Sequence, residues 1–386
     1  MHQRLRILHV VDSLETGGLE RVVADLCVAQ RAAGEDVTVF SIEATGGFRD
    51  ELEATGTRVV VGNKRGALDR NVLASLRRTA VALGADIVHT HNFVPNYYAA
   101  LATLALRRAP AIVNTCHNMG TRLANRRLRW LYALSIRRTA RVAMVSRQVR
   151  DRLIEMGLVA AAKAPVVLNG IPVERFGIDA RRRADARRAL GVAEDAALIG
   201  CVGRLVPVKN HAALIGEMPA LAVRHPKVAL VIVGDGPLRA ELAALCERIG
   251  VADRVVLAGD RKGVSDLLAA FDIYAQPSLS EGMSIALLEA SASGLAIVAT
   301  AVGGNPDIVE DRVTGRLVPI GDGAALRTAL GELLDDDGMR ARLGEAAQRW
   351  CAAHASIAFM RDAYDALYRD ALEGHVASTS DARANG

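Results

Sequence analysis

The residues best suited to chemistry fall in four short stretches, each joining an apolar run to a helix-period segment. The most informative is Ser278-Leu279-Ser280-Glu281-Gly282-Met283-Ser284-Ile285-Ala286-Leu287-Leu288-Glu289-Ala290. Its two glutamates stand eight positions apart, one in a glycine-containing loop after a strand, the other in the first turns of an apolar helix. An acid near a helix N-terminus is favoured electrostatically, and one set among Leu287, Leu288 and Ala290 needs a hydrogen-bond partner. Ligand hydroxyls would supply it, as would a nearby backbone group or base. The second stretch, Gly203-Arg204-Leu205-Val206-Pro207-Val208-Lys209-Asn210, sets two cations five residues apart where a strand gives way to a helix. A guanidinium fork with a point-like ammonium suits a pyrophosphate group; the alternative is a pair of solvated surface charges. In the third, Asp12 to Glu20, the paired Gly17 and Gly18 free backbone N–H groups and let a phosphate or sugar approach a helix N-terminus. The same pair suits a plain tight turn. It is not G-x-G-x-x-G, so a dinucleotide cofactor loses its main support. The fourth, Gly234-Asp235-Gly236-Pro237, reads as a strand-to-helix turn with proline at a permitted early position.

Such loops need a scaffold that brings them out on one edge. Short β-branched runs alternate with helix-period segments throughout: 5–11, 36–42, 58–61, 86–89, 111–115, 142–145 and 166–168 in the first half, then 198–202, 228–233, 254–257, 272–275, 296–300 and 316–318. Short, nearly all-apolar strands, each followed by a helix, are how a parallel sheet buried on both faces reads. The pattern predicts an α/β chain of two Rossmann-like, doubly wound parallel-sheet domains, with strand-end loops facing across a cleft. The turn at Asn169-Gly170-Ile171-Pro172 marks the boundary: residues 1–172, residues 173–355, and a C-terminal segment 356–386 whose helix at 356–372 gives way to a flexible Ser/Ala/Gly-rich tail.

Composition fits this. At 386 residues, with 51% hydrophobic and 24% charged side chains, the chain exceeds one small module and has ample apolar surface for packed cores. Five scattered cysteines without a C-x-x-C pair suggest neither a disulfide framework nor a structural zinc. No cleavable leader and no membrane-spanning run is recognised, which predicts a cytoplasmic protein, at most peripheral on the inner face of the cell membrane. The charge is uneven: residues 1–170 hold 24 Lys and Arg against 14 Asp and Glu, and residues 171–386 hold 24 against 29. Between Asp86 and Asp151 there is no acid but eleven arginines, seven of them from Arg122 to Arg141. A field of that sign attracts an anionic lipid surface, a phosphorylated ligand or nucleic acid.

Taken together, Gly17-Gly18, Arg204 with Lys209, Gly234-Asp235-Gly236-Pro237, the Glu281/Glu289 pair and Gly303-Gly304-Asn305-Pro306 resemble the retaining glycosyltransferases of family 4, which have the GT-B fold. The likeness runs from Ile7 to about Cys351 and is strongest around the glutamates. It implies a hexosyl-type transferase acting on a nucleoside diphosphate sugar, without a metal or other cofactor, in cell-surface glycan or exopolysaccharide biosynthesis. Glu289 would hold the ribose hydroxyls and Glu281 hydroxyls of the donor sugar, with Gly282, Met283 and Ser284 beside them. Arg204 and Lys209 match the pair that grips the pyrophosphate, and Gly17 and Gly18 the N-terminal loop that closes on it. His117, in Cys116-His117-Asn118, matches a histidine facing the donor sugar; a lone histidine there would otherwise read as packed or capping. Catalysis would rest on His117, Arg204, Lys209 and Glu281. The chain departs from the family in having Ala296 where proline is usual and Asp307 where glutamate is usual.

Metal-bridged diphosphate chemistry uses an Asp-x-Asp pair at a strand end. Here that spacing occurs at Asp335-Asp336-Asp337, late in the chain, and reads as solvent-facing charge. For the acceptor, the arginines from Arg122 to Arg141 interleave with Leu123, Leu128, Trp130, Leu131, Tyr132, Leu134 and Ile136. That mixture suits an interfacial helix on anionic lipid serving a lipid-linked sugar, or equally a helix packed by its apolar side with solvated arginines. Two other functions fit parts of the pattern: a nucleotide-sugar 2-epimerase of the same architecture, and a nucleic-acid-binding protein. The second lacks any helix-turn-helix, zinc or stacking signature, so nucleic acid is not an expected partner.

Overall fold

In the computed structural model, which describes residues 4–384 except 16, 44–45, 67, 118–124 and 262, the chain forms two units. The first comprises residues up to Gly170 and from Ile357 onward; the second is Ile171–Ser356.

The first unit carries β1 (Arg6–Val11), β2 (Asp36–Ser41), β3 (Arg58–Val61), β4 (Ile87–His91), β5 (Ala111–Cys116) and β6 (Thr139–Met144). They form one parallel sheet in the order β3-β2-β1-β4-β5-β6. The jump from β1 to β4 leaves a switch point, where ligands of open α/β sheets enter beyond the strand carboxyl ends. Apolar side chains of one face, Leu8, Val10, Phe40 and Val88 among them, are buried against helices. Run 166–168, read from sequence as a seventh strand, is only a single bridge from Val166 to Met144. Pro165 brings no N–H to a ladder, and the chain turns away at Asn169-Gly170 before pairing extends.

The second unit repeats the plan with β7 (Ala197–Val202), β8 (Val228–Val233), β9 (Val255–Gly259), β10 (Ile273–Gln276), β11 (Ala296–Thr300) and β12 (Arg316–Val318), all parallel in the order β12-β11-β10-β7-β8-β9. Its core is built from Ile199, Leu230, Ile232, Ile273, Val298 and the helix residues packed on them. Ala296, where the family usually has proline, starts β11 and is buried. The helix expected to end near Leu372 continues to Ala384 as Ile357–Ala384. No proline interrupts 373–384, and Gly374 costs a helix only about 1 kcal/mol. That helix packs on the first unit, against β5, β6 and the Gly18–Ala32 helix, rather than standing apart as segment 356–386.

Candidate active site

In the second unit the predicted residues cluster at the carboxyl ends of β7, β10 and β11. Arg204 lies just beyond β7 and is exposed; among the described residues it makes no ion pair. Lys209 ends a short turn, Pro207–Lys209, and points its ammonium at Glu281, Nζ to Oε1 2.7 Å. The sequence reading gave these two side chains separate duties, pyrophosphate and sugar; here they are one ion pair. Glu281 Oε1 also accepts from Ser278 Oγ at 2.7 Å and Gln276 Nε2 at 3.2 Å. Three donors on one oxygen fix the carboxylate's direction, and Gln276 is in turn fixed by Ser284 Oγ, which donates to its Oε1 at 2.8 Å. Gly303 locks the loop from the other side. Its φ is +57°, and a Cβ there would lie 2.0 Å from the Glu281 carbonyl oxygen. Gly304 N–H donates to Gly282 O at 2.8 Å. Gly234, at φ +135°, likewise lets its loop press on the Gly203 carbonyl.

Glu289 lies one turn into the Ile285–Ala292 helix and is half-buried. Ser284 caps that helix, its Oγ accepting from Leu287 N at 3.3 Å, while Gly282 and Met283 are buried beside it. Ser284 is thereby used in holding the loop, and its carbonyl accepts from Leu288 N at 3.2 Å. Asp307 sits in the first turn of the Asn305–Ile308 helix. The Asp335-Asp336-Asp337 run is exposed charge: Asp336 caps the Asp337–His354 helix, and its neighbours pair with Arg224 and Arg340.

In the first unit, Gly17 is the N-cap of the Gly18–Ala32 helix; with no side chain of its own it supplies no cap bond, and the Glu20 carboxylate of the first turn folds back to where a Gly17 Cβ would stand. Its φ of −168° is ordinary extended backbone. Asn118, Arg122 and Leu123 lie outside the described residues. His117 follows β5 directly, 7% exposed, with its N–H on Asn92 Oδ1 at 2.9 Å and its Nε2 3.2 Å from His91 Nδ1. Burial pushes its imidazole down to about 3, so the ring is neutral.

Several residues of consequence escaped the sequence reading. Gln276, outside every motif named above, holds the Glu281 loop together with Ser278 and Asn305, which lie in the motifs with no role given them; Asn305 donates to Thr300 O at 2.9 Å. His211 begins the helix after Lys209, buried, and neither ring nitrogen has a hydrogen-bond partner; burial and then the Lys209 charge lower it to about 4. His9, His89 and His91 form a row in the first unit's sheet. Their signal was available, because polar residues recurring every second position in an otherwise apolar strand must find partners.

With this geometry in hand, comparison with known proteins is decisive. The description "Glycosyltransferase Family 4" matches residues 16–175, and "Glycosyl transferases group 1" matches residues 182–350. The D-inositol 3-phosphate glycosyltransferase of Kribbella flavida is 30% identical over 370 residues, 86% of each chain. An Escherichia coli UDP-Gal:alpha-D-GlcNAc-diphosphoundecaprenol alpha-1,3-galactosyltransferase is 26% identical over 347 residues, 87% of this chain and 89% of the relative. The Anabaena protein HepE, crystallised with UDP, superposes with a TM-score of 0.84 at 23% identity, over 94% of this chain and 98% of HepE. Two six-stranded parallel sheets give this chain the GT-B fold. The chain belongs to glycosyltransferase family 4.

Proposed function

We propose that the chain moves a hexosyl group from a nucleoside diphosphate sugar to an acceptor, with retention at the anomeric carbon and without a metal, in making a cell-surface glycan or exopolysaccharide. The observation that carries this reading is the Lys209–Glu281 pair at the ends of β7 and β10, with Arg204 exposed beside it and Glu289 on the following helix. As the nucleoside diphosphate leaves, negative charge grows on its β-phosphate and positive charge on the sugar ring. Arg204 and Lys209 stabilise the anion as it forms; an ammonium has three protons, so Lys209 serves the phosphate while still holding Glu281 in place. Glu281 takes sugar hydroxyls, Glu289 ribose hydroxyls, and Gly282, Met283 and Ser284 line the same loop. Gly17 and Gly18 receive phosphate at a helix N-terminus, and His117 faces the donor sugar, as in the family.

The names of related proteins support a uridine nucleotide and a lipid-linked acceptor: HepE was crystallised with UDP-glucose, and the Escherichia coli relative acts on a diphosphoundecaprenol-linked sugar. The Arg126–Ile136 helix favours a membrane-facing acceptor side. Trp130 and Leu134 are 64% and 46% exposed between Arg126, Arg127, Arg137 and Arg138, where a helix packed by its apolar face would hide them. We place the enzyme on the cytoplasmic side of that surface.

A thermal-shift screen of nucleoside diphosphate sugars tests the donor reading. A donor at 100 times its dissociation constant adds about 2.7 kcal/mol to stability. Stabilisation by one nucleotide series, lost in Lys209→Ala, is expected. No stabilisation by any member overturns the reading.

A further inference from the structure

The first unit's sheet has one face that departs from the rule for buried strands. His9 on β1, His89 and His91 on β4, and Thr115 on β5 project to the same side, in register across three neighbouring strands, and all are buried. The helices Gly18–Ala32 and Ile357–Ala384 add Gln30, Tyr364 and Tyr368 to that layer, also buried. Polar groups taken out of water cost about 1–3 kcal/mol each unless paired, so a row this long persists only if its hydrogen bonds close.

They close as a single line. Gln30 Oε1 lies 2.8 Å from His9 Nε2, His9 Nδ1 3.0 Å from His91 Nε2, and His91 Nδ1 3.2 Å from His117 Nε2. In the other direction Gln30 Nε2 donates to the Tyr368 hydroxyl at 3.1 Å, which lies 2.7 Å from His89 Nδ1. His89 Nε2 is 2.7 Å from Thr115 Oγ1, itself 2.8 Å from the Tyr364 hydroxyl. His9, His89 and His91 bring ring nitrogens within 4.8 Å of one another, a spacing a metal ion could use. Both nitrogens of each ring are already in hydrogen bonds, however, and an ion would have to break the 3.0 Å link between His9 and His91. The line of hydrogen bonds is the better account.

Its direction follows from elementary donor counting. A neutral imidazole has one N–H and one lone pair, so each ring inside the line must give on one side and take on the other. Burial keeps these rings neutral. Gln30 sits at the junction. Because its oxygen accepts from His9, His9 carries its proton on Nε2 and accepts on Nδ1 from His91 Nε2–H. His91 then accepts on Nδ1 from His117 Nε2–H, which leaves the lone pair of His117 on Nδ1. The other arm agrees with this orientation: Tyr368, having accepted from Gln30, donates to His89, which donates to Thr115, which donates to Tyr364. Turning the Gln30 amide over would reverse every link.

We infer that Gln30, His9 and His91 are positioning residues for glycosyl transfer, holding His117 as a single neutral tautomer whose Nδ1 accepts a hydrogen bond from a substrate hydroxyl. This rests on the reading that His117 faces the donor sugar. The nitrogen a histidine offers to a ligand is set by the bond its other nitrogen makes; outer partners of metal-bound histidines are worth roughly 10- to 100-fold in activity, and the same positioning of a ring applies to one that faces a hydroxyl. A hydroxyl must then orient its proton toward the ring, which selects for a sugar carrying a hydroxyl at that place.

Nitrogen-15 NMR of the full chain labelled in its nine histidines tests this, with His117→Ala identifying the His117 signals. The wild type is expected to show His117 with its proton on Nε2 alone. A proton on Nδ1, or an even mixture, overturns the inference without any need for a variant. Gln30→Leu, three hydrogen bonds from His117, is expected to give both tautomers. His91→Phe is expected to lower kcat roughly 10- to 100-fold while KM for the nucleotide sugar moves under about 3-fold, with His91→Gln, which keeps a donor and an acceptor, recovering most of the rate. Unchanged kcat in a folded His91→Phe also overturns it. If His117→Ala transfers sugar at the normal rate while the single tautomer is seen, the donor-facing reading fails and the tautomer assignment stands.

Discussion

Lys209 and Glu281 are worth more as a pair than as two separate ligands. Each holds the other, so removing the ammonium takes away the proposed phosphate donor and frees a carboxylate tied by Ser278 and Gln276. A preorganised donor to a developing anion is typically worth about 3–4 kcal/mol, and Lys209→Ala is expected to lower turnover roughly 100- to 1,000-fold in a donor-dependent assay. Arg204→Ala is expected to lose less, because the guanidinium stands exposed to water; a near-normal rate in both variants counts against the site. Gly303→Ala asks a left-handed residue to carry a Cβ against the Glu281 carbonyl, and a loss of about 2 kcal/mol or more is expected, read as a fall of roughly 5 °C in Tm. The buried histidines give a pH dependence with a definite sign. A ring held at about 4 when folded, as His9 is, and near 6.5 when unfolded takes up its proton mainly on unfolding. Its contribution is complete above pH 6.5 and is lost as the pH falls, on the order of 3 kcal/mol by pH 4; His117, held at about 3, adds in the same direction. Denaturant titrations between pH 7 and pH 4.5 are expected to show falling stability, with amides of the first unit exchanging first. Arg204, Lys209, Glu281 and Glu289 were legible in the sequence because their loops carry glycines at fixed offsets. The bonds that Gln276 and Ser278 make to Glu281 were not, since an amide and a hydroxyl at a strand end carry no spacing signal.

Among the elements, the strands read most clearly because a parallel sheet covered on both faces demands nearly continuous apolar runs. Twelve of the expected runs appear as strands, and 166–168 fails for want of a donor at Pro165. The C-terminal helix shows why helix ends are harder. Whether Ile357–Ala384 stops or continues depends on what its first turns pack against, and those partners, Thr115, His89 and Gln30, lie some 240 to 340 positions earlier. Tyr368→Phe removes a hydroxyl bonded to both Gln30 and His89 and strands two buried polar groups. A loss of about 1–3 kcal/mol per stranded group is expected, visible as a lower Tm. For the Arg126–Ile136 helix, co-sedimentation with anionic vesicles at low salt is expected in the wild type, and Trp130→Glu is expected to weaken it several-fold. Absence of wild-type sedimentation removes the membrane contact from the proposal.

For the molecule as a whole, tandem sheets were evident from the alternation of runs, and the charge asymmetry between residues 1–170 and 171–386 from counting. What the linear pattern hid is that the first unit is made of two pieces. The chain leaves it after Gly170 and re-enters at Ile357, and the two crossings run side by side, Ile171 N–H donating to Ala355 O at 2.9 Å. Nothing local announces this, because the contacts that close the first unit are the most distant in sequence. A nucleotide sugar is expected to slow amide exchange around β7, β10 and the Ile285–Ala292 helix. Equal exchange with and without it argues against a donor site there. The split unit also orders events on the ribosome. The helix that seals the histidine row is translated after the second unit, so the row waits uncovered while the 186 residues of Ile171–Ser356 are added, roughly 10–40 s at ordinary elongation rates. The later-encoded unit is therefore the one that can finish folding first, and the earlier one stays open to chaperones until that helix has emerged.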